Sequence, residues 1–269
     1  MVLTDGLPLH TTAIGDAGSR VVFLHGLFGQ GRNWTQVGKA LAHPEGAPPH
    51  RALLVDLPHH GRSGWEDHFD YLRVADQVAG LLDADDPVAL VGHSLGGKVA
   101  MVLALRHPEL VARLCVVDVS PVAYDSLSQF AGYVAAMQGL DLGSLAQRSD
   151  ADTALAESVP DPTVRSFLLQ NLRRDGDRWH WQMNLDVLGA DLSVIGSWPE
   201  DRLAGVPPYD GPVLWMAGAR SDYIAPAYAE AMDRWFPRNR LVTVKDAGHW
   251  VHSEQQDVFL QVLRWFLDG

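Results

Sequence analysis

One cysteine, Cys115, stands in a chain of 269 residues, so an internal disulfide is excluded, and with it the disulfide-stapled folds. It sits in Leu114-Cys-Val-Val117, where a small buried thiol is expected to fill the core and not to act as a nucleophile. No stretch approaches the ~20 uninterrupted apolar residues of a membrane span. Met1-Val-Leu-Thr-Asp lacks the basic then apolar start of a signal peptide, so the expected location is cytoplasmic. Basic residues are outnumbered, 21 Lys+Arg against 33 Asp+Glu for a formal charge of −12, and they form no long run. Phosphate backbones and anionic lipid are repelled, and no nucleic-acid partner is expected. Twelve histidines invite a metal, yet neither H-E-x-x-H nor a Cys/His cluster is present, so no metal or other cofactor is expected. The one dense spot, His59-His60, reads as solvated loop residues, because neighbours in an extended segment point to opposite sides.

What is present is enough apolar residue, 47%, to fill one large α/β core with a small insertion. Strand-like apolar runs alternate with segments of helical spacing. An early strand or hairpin over Leu7 to Gly15 precedes strands at Arg20 to Leu24, Arg51 to Asp56, Val88 to Val91 and Leu114 to Pro121. Between them, Asn33 to Leu41 looks helical, and Tyr71 to Leu82 carries Leu72, Ala75, Val78, Ala79 and Leu82 on one helical face. This alternation predicts a mostly parallel sheet with helices on both faces and ligands at the carboxyl ends of its strands. The rhythm breaks from about Val122 to Pro208, where helices are expected at Ser126 to Gln138, Ala151 to Glu157 and Pro162 to Leu172. It resumes with a strand at Pro212 to Gly218, a helix at Pro226 to Phe236, a strand at Leu241 to Val244 and a helix at Gln256 to Leu267. A core of residues 1–121 and 209–269 with a helical cap, residues 122–208, over the catalytic end is the expected division. Trp179, Trp181, Trp198 and Met183 suggest an apolar pocket in that cap, and Arg173, Arg174 and Arg178 read as a solvated helix end.

The stretch that carries chemistry is Gly92-His-Ser-Leu-Gly96, which fits G-x-S-x-G between an apolar strand and the helix from Lys98 to Leu105. A serine on so sharp a turn is held clear of the backbone, and the next N–H, that of Leu95, opens a helix where partial positive charge favours an oxyanion. A second donor is expected from Leu27, in the turn His25-Gly-Leu-Phe-Gly29 that follows another strand.

His25-Gly26, Gly92-His-Ser-Leu-Gly-Gly-Lys98 and Ala247-Gly-His-Trp-Val-His252 together make the chain resemble the α/β-hydrolases over nearly its whole length, in particular a subgroup of small esterases and acyl-hydrolases. The resemblance implies a serine hydrolase of an ester or thioester, working without a cofactor through an acyl-enzyme, with Ser94 as nucleophile and His249 as base. Lactone opening, acyl transfer and carbon–carbon bond hydrolysis use the same serine, and a non-catalytic binding member of the fold is the alternative of another class. Most of the family carries its acid as Gly-x-x-Asp after the penultimate strand, whereas Gly218-Ala-Arg-Ser221 has a serine there and an aspartate one place later, Asp222. In the resembled esterases the acid comes from the preceding strand, which points to Asp118, leaving Asp222 as the alternative and Ser221 as a hydrogen-bonding accessory. His59 replaces the Gly or Asn common in relatives and reads as an altered entrance rim.

Overall fold

The computed structural model describes residues 8–124 and 127–269. Leu7 and Ser126, where an early strand and the first helix of the insertion are expected to begin, lie outside the described residues. Seven strands make the main sheet: β1 (Thr11–Ile14), β2 (Ser19–Leu24), β3 (His50–Val55), β4 (Val88–His93) and β5 (Val111–Val117), then, after a separate hairpin of β6 (Leu172–Asp175) and β7 (Arg178–Trp181), β8 (Val213–Gly218) and β9 (Asn239–Val244). Their order is β1-β3-β2-β4-β5-β8-β9, with β1 antiparallel to β3 and the rest parallel.

The strands read as unbroken apolar runs because both faces of the sheet are covered, and consecutive side chains go to opposite layers. Val22 and Leu24 of β2, Leu114 and Val116 of β5 and Val213 and Trp215 of β8 enter one core. Val21 and Phe23, Cys115 and Val117, and Leu214 and Met216 enter the other. The first layer is completed by α2 (Tyr71–Ala79), α3 (Leu95–Arg106) and α9 (Ala229–Trp235), the second by α1 (Thr35–Ala42) and α11 (Gln256–Asp268). α2 starts where the Asp70 carboxylate accepts the Arg73 N–H at 2.9 Å and stops at Gly80. α3 is apolar almost all round because it is buried almost all round, from Leu95 to Leu105. Cys115 is 1% exposed, and burial pushes its thiol pKa up, as suits a core residue.

Between β5 and β8 lie α4 (Ser128–Gln138), α5 (Arg148–Leu155), α6 (Pro162–Leu169), the β6–β7 hairpin, α7 (Leu185–Ala190) and α8 (Leu192–Gly196). The hairpin corrects the purely helical expectation. Asp175 pairs with Arg178 across a two-residue Gly176-Asp177 loop, and Gly176 takes the positive φ, +56°, that such a turn requires. Arg173, Arg174 and Arg178 therefore belong to strands and not to a helix end. The tryptophans tie this segment to itself: Trp179 Nε1 donates to the Leu145 carbonyl at 2.9 Å and Trp181 Nε1 to the Met137 carbonyl at 3.1 Å. Among the described residues no helix is long and apolar enough to cross a membrane.

Candidate active site

β4 lies between β2 and β5, where the strand order changes direction, so the turns that leave β2, β4 and β5 meet at one end of the sheet. The turn after β4 is too tight for side chains at its glycines. A Cβ on Gly92 would lie 2.3 Å from the Gly96 carbonyl oxygen, and one on Gly96 2.5 Å from the carbonyls of both Leu24 and His25. Ser94 takes φ 51° and ψ −117°, a conformation that costs on the order of 1–3 kcal/mol in a non-glycine residue. Leu95 opens α3, so its N–H has no carbonyl one turn earlier to receive it. The turn after β2 packs directly on this serine, since a Cβ on Gly26 would come within 3.2 Å of Ser94 Cβ. Leu27, the next residue, lines one pocket with Ser94 and Leu95.

The imidazole comes from the turn after β9. His249 Nδ1 lies 2.7 Å from Asp118 Oδ2, with the His249 side chain 17% exposed and Asp118 fully buried. Asp118 follows the last residue of β5 at φ 52°. Its carboxylate accepts two further bonds, from the Ser221 hydroxyl at 2.5 Å and from the Gly218 N–H at 3.0 Å. Three donors offset the loss of water around a buried carboxylate. An acceptor-only carboxylate requires the proton of His249 on Nδ1, which leaves Nε2 with a free lone pair. Asp222 is exposed, on the far side of Ser221 in the chain. His93, the residue before the serine, donates from Nε2 to the His249 carbonyl at 2.9 Å, and the Tyr223 ring lies 4.4 Å from the His249 ring.

A family model described as the alpha/beta hydrolase fold matches residues 19–256. The chain belongs to the α/β-hydrolase fold family. A "sn-1-specific diacylglycerol lipase ABHD11" of Mus musculus is 38% identical over 253 residues, 92% of this chain and 80% of that protein. "Esterase YbfF" of Escherichia coli is 29% identical, covering 93% of each chain. A solved "Marine microorganism esterase" superposes with a TM-score of 0.89 at 30% identity, over 97% of this chain and 99% of that one.

In this α/β-hydrolase the histidines beside the site are buried and structural, which corrects the reading of His59-His60 as solvated. Both are fully buried. His60 donates from Nδ1 to the Pro58 carbonyl at 2.9 Å and accepts the Phe28 N–H on Nε2 at 3.2 Å. His25 mirrors it, donating to the Gly26 carbonyl at 2.8 Å and accepting the Leu57 N–H at 3.0 Å. The two rings, 5.0 Å apart, thus cross-tie the turns after β2 and β3. Burial lowers the pKa of His25 to about 4, while burial and then the neighbouring His25 lower that of His60 to about 3. His59 is no entrance rim: it holds φ 68° in the interior, and its carbonyl accepts the Asn184 N–H at 2.9 Å.

The pocket at Ser94 is walled by Tyr71, Lys98, Tyr124, Phe130, Ile195 and Tyr223 and not by the tryptophans and Met183. Sequence reasoning passed over Lys98, although a charge four residues after Ser94, in the apolar first turns of a helix, was a visible signal. It missed the tyrosines for want of any local one.

Proposed function

We propose that this α/β-hydrolase cleaves carboxylic esters through an acyl-enzyme, with Ser94 as nucleophile, His249 as general base and Asp118 as the acid that orients it. Residues 122–208 form the cap over this site. Ser94 Oγ attacks the carbonyl carbon as its proton passes to His249 Nε2. The carbonyl electron pair moves to the oxygen, which the N–H groups of Leu27 and Leu95 hold, each worth about 3 kcal/mol by analogy with other serine hydrolases. The C–O bond to the alcohol breaks and His249 returns the proton to the leaving oxygen. Water then repeats the sequence on the acyl-serine and restores the free enzyme. Ser221 keeps the Asp118 carboxylate in place.

The observation that carries this reading is the 2.7 Å contact between His249 Nδ1 and the buried Asp118 carboxylate, at the strand end beside the Ser94 turn. Thioesters undergo the same steps with sulfur as the leaving atom. Diacylglycerol, the substrate in the mouse relative's name, is a carboxylic ester and belongs in the substrate panel. The test is labelling by a fluorophosphonate probe together with turnover of p-nitrophenyl acetate. Wild type is expected to label and turn over, whereas Ser94→Ala is expected to remain folded, not label, and lose several orders of magnitude in kcat. A wild type that neither labels nor turns over would leave a binding protein on a hydrolase fold.

A further inference from the structure

The short helix α8 ends against the pocket, and core groups capture three successive carbonyls there, the last two of the helix and that of Ser197 just beyond it. The Tyr71 hydroxyl donates to the Ile195 carbonyl at 2.5 Å, and the Tyr124 N–H to that of Gly196 at 3.0 Å. Lys98 Nζ donates to the carbonyls of both Gly196 and Ser197, at 2.7 Å each. The ammonium is otherwise enclosed, in a residue 2% exposed, with the Tyr124 ring 4.7 Å away. No ion pair to it occurs among the described residues, and burial lowers its pKa to about 7. A buried ammonium without a carboxylate is expensive, and a methionine would fill the same space more cheaply. What the lysine adds is the capture of carbonyls at a helix end, where partial negative charge accumulates.

Two of those carbonyls belong to residues that line the pocket. Ile195 and Gly196 line it together with Leu127 and Phe130, and the space left inside is about 30 Å³. That is roughly the volume of two waters on the same measure. We propose that Lys98, assisted by Tyr71, is a positioning residue for specificity, latching the end of α8 as the end wall of the pocket so that the enzyme selects short acyl groups, acetyl and propionyl. The latch rests on the ester reading above, since it is acyl length that the wall limits.

The experiment compares wild type, Lys98→Met and Tyr71→Phe on p-nitrophenyl acetate, butyrate and octanoate, reading the ratio of kcat/KM for octanoate to that for acetate. Wild type is expected to favour acetate. In Lys98→Met the ratio should rise at least tenfold, mainly through a lower KM for octanoate. A loss of packing would instead lower kcat on all three esters alike. Tyr71→Phe, which removes one bond and keeps the charge, should move the ratio the same way by less. A wild type that prefers octanoate overturns the latch, as does a Lys98→Met enzyme with an unchanged ratio. If Lys98→Met does not fold, as judged by circular dichroism, the ratio in Tyr71→Phe decides alone, and no change there overturns the proposal. If wild type turns over none of the esters, the ester reading itself fails and takes the latch with it.

Discussion

Replacing Asp118 by asparagine separates the two candidate acids, because the carboxylate faces donors on both sides. Oδ1 receives the Gly218 N–H and Oδ2 receives His249 and Ser221. Asparagine has one acceptor oxygen and one amide nitrogen that only donates. The Gly218 backbone cannot change its role, so the oxygen stays there and the nitrogen turns to His249 and Ser221. The serine adapts by rotating its hydroxyl. The imidazole adapts only by moving its proton from Nδ1 to Nε2, and that occupies the lone pair needed to accept the Ser94 proton. By analogy with the serine-protease triad the loss in kcat is up to about 10⁴, or about 5 kcal/mol of barrier, with the fold retained. Ser221→Ala removes one supporting bond, worth about 1 kcal/mol and a few-fold in rate. Asp222→Asn touches nothing in the array and should stay near wild type. Steady-state kinetics of the three variants on p-nitrophenyl acetate, beside thermal melts, make the comparison. Near-normal turnover in Asp118→Asn with a large loss in Asp222→Asn would refute the reasoning.

The buried imidazoles make stability depend on pH in a defined window. His25, at about 4, and His60 and His252, at about 3, stay neutral in the native state, whereas an unfolded chain binds their protons below about 6.5. Stability is therefore full above that value and falls as pH drops toward 4, by about 2 kcal/mol for each imidazole at pH 5. Urea midpoints equal at pH 7.5 and pH 5 would contradict this. Gly26→Ala would bring a methyl within 2.7 Å of His93 Nδ1 and displace the backbone that carries the Leu27 N–H. We expect a loss in kcat of about 10²–10³, typical of one oxyanion donor, with a much smaller effect on the melting temperature. Unchanged kcat would remove Leu27 from the mechanism.

The sheet was legible in the sequence because strands buried on both faces leave long apolar runs, and Ser94 because its turn is local and needs Gly92 and Gly96. The candidate acid was not legible from spacing. Asp118 reaches His249 because β5, β8 and β9 follow one another in the sheet, with Val117 beside Met216 and Gly218 beside Val244, and no local pattern carries that adjacency. His60 misled for a related reason: a polar pair in a turn looks solvated until the turn after β2 is known to cover it. The hairpin, by contrast, was written in the chain as Gly176-Asp177 between Leu172-Arg-Arg-Asp175 and Arg178-Trp-His-Trp181, and it was hidden by an expectation of helix.

The left-handed backbone of Ser94 also limits which ancestors and descendants this enzyme can have. A second substituent on Cβ is poorly tolerated at a positive φ, so threonine, chemically the nearest alcohol, is an improbable replacement at position 94. Cysteine and aspartate carry one heavy atom on Cβ and meet no such obstacle. Drift at this position therefore runs between different functional groups, hydroxyl, thiol or carboxylate, before it runs between two hydroxyls, and a change of chemistry lies closer to this fold than a conservative change of residue.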